Sequence, residues 1–145
     1  MADTIKIRIP ADPKLLKVVR KAIYYLSEVA GFRATDCNNI ALAVDEACSN
    51  IIKHAYGGTT HQPILVTGSV FQDRLEIILR DYGKKADVEA IKSRQLDDVR
   101  PGGLGVHLIK SVMDKVTYDN TLKVGNQLSL VKYLSKPNAD KESQC

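Results

Sequence analysis

An acid and an amide stand four residues apart in the run Glu46-Ala-Cys-Ser-Asn50. On a helix this spacing places both side chains on one face, one turn apart. A carboxylate there can take a proton from a nucleophile, and a carboxamide oxygen is a ligand that hard cations accept. Exposed Glu and Asn are also common on ordinary helices, so the pair needs support from elsewhere in the chain.

A second acid, Asp81, is followed by Tyr82 and Gly83 at the end of an apolar run that ends with Leu79. An acidic side chain at a strand end can accept a hydrogen bond from an amine donor, and a following glycine lets a ligand approach the backbone. An ordinary strand-ending turn is the alternative interpretation.

Glycines precede a later apolar-periodic segment, in the run Pro101-Gly-Gly-Leu-Gly105. Glycines before a helix allow close approach of an anion, and the free amides of the first helical turn favour phosphate. The spacing matches neither a Walker A loop nor a G-x-G-x-x-G dinucleotide fingerprint. The order of all three features along the chain is more informative than any one of them.

Periodicity predicts the elements that must position these residues. Ile5, Ile7 and Ile9 alternate with polar residues, which is typical of a strand. Strands are predicted at 4–9, 63–71, 75–82, 115–121 and 126–134. Helices are predicted from Asp12 and Pro13 to Gly31, from Thr35 or Asp36 to about Tyr56, and after Gly105. The buried stripe of the second helix is predicted to comprise Ile40, Val44, Ala47, Cys48, Ile51 and Ala55, which leaves Glu46 and Asn50 on another face.

This order of elements favours an α+β fold, with one mixed, mostly antiparallel sheet and helices on one face, over a doubly wound parallel sheet. The length of 145 residues fits one domain, predicted over 1–134, with a flexible polar tail at 135–145. No internal repeat or interdomain linker is evident.

The amino-acid composition excludes several classes of protein. With 44% hydrophobic and 26% charged residues, the chain has the composition of an ordinary globular domain. The net charge of +4 is diffuse and aromatic residues make up only 6%, which disfavours direct recognition of nucleic acid. The three cysteines form no CxxC pair, and neither a leader nor a membrane-spanning apolar run is found. These features predict a cytoplasmic protein without a structural zinc site or a membrane partner.

Basic residues gather on one side of the first helix, at Lys14, Lys17, Arg20 and Lys21. This stripe is either a solvated face or a docking surface for an acidic partner.

Three segments are informative in combination: the segment from Glu46 to Tyr56, the run Asp81-Tyr-Gly83 and the run Gly102-Gly-Leu-Gly105. In this order they resemble the N, G1 and G2 boxes of the GHKL ATP-binding superfamily. Within it, the chain is similar to the small anti-sigma factor serine kinases of the RsbW and SpoIIAB type, over nearly its whole length. The resemblance implies a two-layer α/β sandwich of the Bergerat type.

The resemblance also implies roles for individual residues. Glu46 would serve as general base toward a serine of a partner protein, and Asn50 would ligate Mg²⁺ bridging the ATP phosphates. His54 would lie at the edge of the ATP site. Asp81 would accept from the adenine amino group, and Gly83 would lie beside the base.

The G2-like run would complete the ATP site. Gly102, Gly103, Leu104 and Gly105 are implied to bind ATP, with Gly103 and Gly105 offering backbone to the phosphates. The segment 84–101 would form the ATP lid, from which Arg100 could approach a phosphate.

The function implied by the resemblance is that of an ATP- and Mg²⁺-dependent anti-sigma factor kinase. Such a kinase binds a sigma factor and phosphorylates a serine of a STAS-type anti-sigma factor antagonist, commonly as a homodimer. The alternative is a nucleotide-dependent partner-binding module without phosphotransfer. Two departures from the family pattern bear on this choice, Lys85 in place of a second G1 glycine and Gln127 where the last strand often has Thr.

Overall fold

The computed structural model describes residues 2–87 and 104–135. Within these ranges the chain forms five strands, β1 (Asp3–Pro10), β2 (Pro63–Val70), β3 (Arg74–Asp81), β4 (Lys115–Asp119) and β5 (Asn126–Tyr133), and three α-helices, α1 (Leu16–Ala30), α2 (Ala34–Asn50) and α3 (Leu104–Val112). A 3₁₀ turn at Pro13–Leu15 leads into α1, and a π-helical turn at Ile51–Ala55 extends α2.

The strands form one sheet in the order β1-β2-β3-β5-β4. The four pairings between described strands are all antiparallel, so the predicted mostly antiparallel sheet is confirmed without a parallel pair in this part of the chain. Placing β5 between β3 and β4 brings the end of β3 next to the start of β5. The α+β class and the two-layer arrangement are therefore confirmed.

Alternation along the strands gives the sheet one apolar face, which the helices cover. Its central strands β2, β3 and β5 contribute the buried side chains Ile64, Val66, Leu75, Ile77, Leu79, Leu128 and Leu130. These residues join the buried residues of α1 and α2 in one hydrophobic core. Burial of this apolar area is what holds the two layers together.

The first helical segment, which consists of the 3₁₀ turn and α1, begins and ends at the predicted residues. Asp12 caps the 3₁₀ turn, because its carboxylate accepts a hydrogen bond from the Lys14 backbone amide at 3.1 Å, and Pro13 is the first residue of that turn. Gly31 ends it with a φ of 104°, a left-handed conformation that glycine adopts without strain.

The second helix begins at Ala34, slightly before the predicted Thr35 or Asp36, and the residue at its N-terminus, Arg33, makes no side-chain capping bond. The helix packs between α1 and α3.

Burial raises the pKa of the Cys48 thiol to about 12, so this cysteine stays a neutral core side chain. Of the predicted buried stripe, Ile40, Val44, Ala47, Cys48 and Ile51 are buried and Ala55 is half-buried.

Beyond Asn50 the α-helix gives way to the π-helical turn, whereas the sequence predicted regular helix to about Tyr56. Gly57 and Gly58, with φ of 58° and 86°, then turn the chain away. A π turn places one extra residue in the turn and so widens it.

Several predictions fall outside the described residues. The predicted lid, 84–101, is described only at its first four residues, and the predicted tail only at its first. Arg100, Gly102 and Gly103 also lie outside. Within the described ranges, no helix combines the length and the apolar composition needed to cross a bilayer.

Candidate functional site

A cavity of about 240 Å³ opens where the end of α2 meets the end of β3 and the start of β5. Its first wall comes from α2 and the π turn, its second from β3 and the residues that follow it, and its third from β4 and β5. In that order the walls are formed by Ala47, Asn50, Ile51, His54 and Ala55; by Asp81, Lys84, Lys85, Ala86 and Asp87; and by Tyr118, Asn126 and Leu128.

Asp81 is the buried acid of this cavity, with 3% of its surface exposed. Its Oδ1 accepts hydrogen bonds from the Gly83 amide and from Asn126 Nδ2, both at 3.0 Å. Burial raises the pKa of the Asp81 carboxyl, while these hydrogen bonds and the nearby Arg80 guanidinium act in the opposite direction. The result is a carboxylate fixed in place at the cavity wall.

Close packing against the π turn explains why position 83 is a glycine. A Cβ at this position would overlap the Ala55 carbonyl oxygen and the ring of Tyr56. The Lys84 amide donates to the same Ala55 carbonyl at 2.8 Å. Gly83 itself does not line the cavity, so the structure brings Asp81 to the site and leaves Gly83 behind it.

Tyr56 joins three segments behind the cavity. Its ring is buried, its hydroxyl donates to the Pro63 carbonyl at 2.6 Å, and the same hydroxyl accepts from the Tyr82 amide at 2.8 Å. The end of the π turn, the start of β2 and the residue after β3 are thereby held at fixed separation. Tyr56 is the last residue of the N-box-like segment, and the sequence alone does not indicate its role.

Asn126 is a site residue that sequence analysis missed. It lies opposite Asp81 in the β3–β5 register, on the inner face of the sheet, and its side chain contacts the Asp81 carboxylate. Gln127, the departure noted in the sequence, pairs with Arg80 in the register and falls on the opposite face. The alternation of β5 would have shown this, since Asn126 is in phase with the buried Leu128 and Leu130.

Asn50 and His54 both line the cavity, the first at the end of α2 and the second in the π turn. Glu46 does not line it, but lies one helical turn before Asn50, and both side chains are half-buried. The structure thus brings Asn50, His54 and Asp81 together, and places Glu46 at the adjoining turn of the same helix.

The profile of the histidine kinase-like ATPase domain family matches residues 9–132. The serine-protein kinase RsbW of Bacillus velezensis is 31% identical over 146 residues, which cover 95% of this chain and 90% of the relative. The serine-protein kinase RsbW of Staphylococcus epidermidis is 33% identical over 143 residues, covering 92% of this chain and 89% of the relative.

The chain belongs to the RsbW family of histidine kinase-like ATPase domains. The predicted resemblance to the GHKL anti-sigma factor kinases is therefore confirmed.

A solved structure shares the fold. The crystal structure of the RsbU and RsbW domains of Rv1364c from Mycobacterium tuberculosis superposes with a TM-score of 0.67 at 17% identity. The match covers 93% of this chain and 33% of that chain, so this chain spans about a third of the solved protein's length. This likeness agrees with the α+β sandwich described above.

Two lysines lie at one wall of the cavity in this RsbW family member. Lys85, which departs from the second glycine of the G1 box, lines the cavity together with Lys84. Both residues are exposed, and they add positive charge beside the acids Asp81 and Asp87. This wall therefore carries two basic and two acidic side chains.

The G2-like run is described only in part. Gly102 and Gly103 lie outside the described residues, while Leu104 and Gly105 are the first two residues of α3. Their backbone amides belong to the first turn of a helix, where amides lack helical partners. Their predicted contact with phosphate stays a prediction.

Proposed function

We propose that this chain is an ATP-dependent serine kinase that binds a sigma factor and phosphorylates a serine of an anti-sigma factor antagonist. The observation that carries the proposal is the cavity itself, which joins Asn50 of α2 to the buried Asp81 of β3 in a member of the RsbW family. The RsbW relatives are named serine-protein kinases, and the matched domain is a kinase-like ATPase.

Asp81 is the group that we assign to the adenine. A buried carboxylate at a cavity wall is an acceptor without competition from bulk water, and the adenine amino group is a donor of matching chemistry. His54 lies at the edge of the same cavity, and Gly83 supports the wall from behind.

Asn50 is the group that we assign to Mg²⁺. Its carboxamide oxygen is a hard donor, and Mg²⁺ in such sites keeps waters and substrate phosphates as its other ligands, so one protein oxygen at the cavity fits it. When bound, Mg²⁺ neutralises charge on the β- and γ-phosphates. Leu104 and Gly105 would offer backbone amides to the phosphates from the start of α3. Gly102 and Gly103, which precede them in the sequence, are proposed to bind ATP with them.

Glu46 is the proposed general base. The serine Oγ of the antagonist attacks the γ-phosphorus, the bond from that phosphorus to the β,γ-bridging oxygen breaks, and ADP leaves. The serine proton passes to the Glu46 carboxylate. Phosphoryl transfer depends mainly on positioning and charge neutralisation, and Glu46 lies one turn from Asn50 on the same helix.

The partner-binding surface that we propose is the exposed side of α1. Lys17 and Lys21 are exposed there, and Val18, Tyr25 and Val29 expose 55%, 67% and 54% of their surfaces on the same helix. An apolar stripe bordered by lysines fits an acidic, amphipathic partner segment. A homodimer, a single domain with a lid at 84–101 and a cytoplasmic location remain predictions from the sequence.

The experiment has two measurements. The purified chain is titrated with ATP with and without Mg²⁺, and it is then incubated with γ-labelled ATP and a STAS-type antagonist. We expect saturable ATP binding, stronger with Mg²⁺ in the wild type but not in Asn50→Ala, and labelled phosphoserine on the antagonist.

Complex formation with the antagonist but without phosphoserine would identify a binding module and contradict the kinase. Absence of ATP binding would contradict the assignment of the cavity.

A further inference from the structure

Asn126 makes three hydrogen bonds at the cavity wall and is only 8% exposed. Its Nδ2 donates to Asp81 Oδ1 at 3.0 Å and to the Lys84 carbonyl at 2.9 Å, and its Oδ1 accepts from the Ala86 amide at 2.7 Å. Both amide hydrogens and the amide oxygen are used. One side chain therefore links the acid at the end of β3 to the backbone that follows it.

The chemistry of the three partners requires a carboxamide. Asp81 and the Lys84 carbonyl need donors, whereas the Ala86 amide needs an acceptor. An aspartate would set a second carboxylate against Asp81, and a serine is too short to reach both segments. The pattern of donors and acceptors also fixes the orientation of the amide group.

The backbone of Asn126 is held in turn by Arg80. The Arg80 guanidinium donates to the carbonyls of Val124 at 2.7 Å and Asn126 at 3.1 Å, and to the carbonyl of Asp81. Gly125, with φ of 72°, lies against the Asp81 carbonyl where a Cβ would overlap it. The start of β5 therefore cannot shift relative to Asp81 without breaking several contacts.

Asp81 Oδ1 accepts the hydrogen bonds from both Asn126 and Gly83. Neither of these two donors bonds to Oδ2. We propose that Asn126 is a positioning residue that sets the preference of the site for a 6-amino purine over a 6-oxo purine. It does so by holding the Asp81 carboxylate in the orientation that accepts from the exocyclic amine. This inference rests on the proposed function, since it assumes that Asp81 meets the purine base.

The test compares the affinities of ATP and ITP, whose base carries an oxygen in place of the amino group. We expect the wild type to bind ATP at least about tenfold more tightly than ITP, as for a hydrogen bond to a charged group. Asn126→Ser and Asn126→Asp should each reduce this ratio at least about fivefold, mainly through weaker ATP binding.

Asn120→Ala is the matched control. Asn120 Nδ2 donates to the Ala86 carbonyl at 3.1 Å, so it anchors the same segment without touching Asp81. This variant should keep the ATP to ITP ratio within about twofold, because the Asp81 carboxylate keeps both donors.

A double-mutant cycle separates positioning from general support. In an Asp81→Asn background, Asn126→Ser should no longer change the ratio, because the group through which it acts is gone. The inference is wrong if the ratio survives both Asn126 substitutions, if ATP and ITP weaken by the same factor, or if Asn120→Ala reproduces the loss. A wild type that binds neither nucleotide defeats the proposed function, whereas a discriminating wild type with unchanged Asn126 variants defeats only this inference.

Discussion

The two sides of the cavity differ in how firmly their polar groups are held. On the Asp81 side (Asp81, Gly83 and Asn126), hydrogen bonds tie two strands and the segment after β3 together. On the Asn50 side (Glu46, Asn50 and His54), all groups come from one helix and its π turn. Among the described residues, the side chains of Glu46 and Asn50 make no hydrogen bond with one another or with neighbours.

This difference matches the two tasks that we propose. Recognition of a base needs acceptors that are already oriented before the ligand arrives, because ordering them afterwards reduces affinity. A general base and a metal-binding amide instead need to meet a substrate hydroxyl and a hydrated cation, which complete the geometry when they bind. We therefore expect substitutions on the Asp81 side to change the affinity for ATP itself. Those on the Asn50 side should change the rate of phosphoryl transfer or the effect of Mg²⁺ on ATP binding.

The largest expected effect is on the Asn50 side. Glu46→Gln keeps the shape of the side chain but removes the base, so phosphate incorporation into the antagonist should fall about 100-fold. The dissociation constant for Mg-ATP should stay within about threefold, because Glu46 lies outside the cavity wall.

Asp45→Asn is the control for this prediction, since it removes the neighbouring acid on the same helix. Equal losses in both variants, or full activity in Glu46→Gln, would show that Glu46 is not the base.

On the Asp81 side, Asp81→Asn should weaken ATP binding about 10- to 100-fold, because an ionised acceptor is replaced by a neutral amide. The rate at saturating ATP should be retained within about fivefold, and steady-state kinetics separates the two constants. Glu76→Gln, on the outer face of the same strand, should alter neither. A pure rate effect from Asp81→Asn would reverse the contrast between the two sides.

Gly83→Ala tests how densely the Asp81 side is built. The added methyl group meets the Ala55 carbonyl and the Tyr56 ring, so we expect the free energy of unfolding to fall by about 1–3 kcal/mol. Lys53→Ala, at an exposed position of the π turn, should change it by less than about 0.5 kcal/mol. Urea denaturation measures both, and equal stability of Gly83→Ala and wild type would contradict the close packing.

The smallest effect concerns pH. Burial raises the pKa of Asp81, and the ionised form is the stronger acceptor for the adenine amine, so ATP affinity should fall as the pH is lowered toward that pKa. We expect a greater loss in the wild type than in Asp81→Asn, whose remaining pH dependence reports protonation of ATP. Parallel pH profiles for the two proteins would contradict an ionised Asp81 at the base.

Much of the fold was predictable because its patterns are local. Strand alternation gave β1, helical spacing gave the buried stripe of α2, and Asp12 and Gly31 marked the ends of the first helix. The sequence predicts the start of α2 slightly too late because no side chain caps this helix. It does not indicate the π turn, because the residues of that turn have the pattern of an ordinary helix. The contacts of Asn126 could not be predicted, since they depend on strand register.

The sequence by itself determined which chemical groups are present and on which face of its own element each one lies. Periodicity is a property of neighbouring residues, so Glu46 and Asn50 could be assigned to one helix face from their spacing alone. Only the tertiary structure decided that Asp81 and Asn126, 45 residues apart, share a hydrogen bond. That pairing exists because β5 lies between β3 and β4, and the burial of the whole core fixes this strand order.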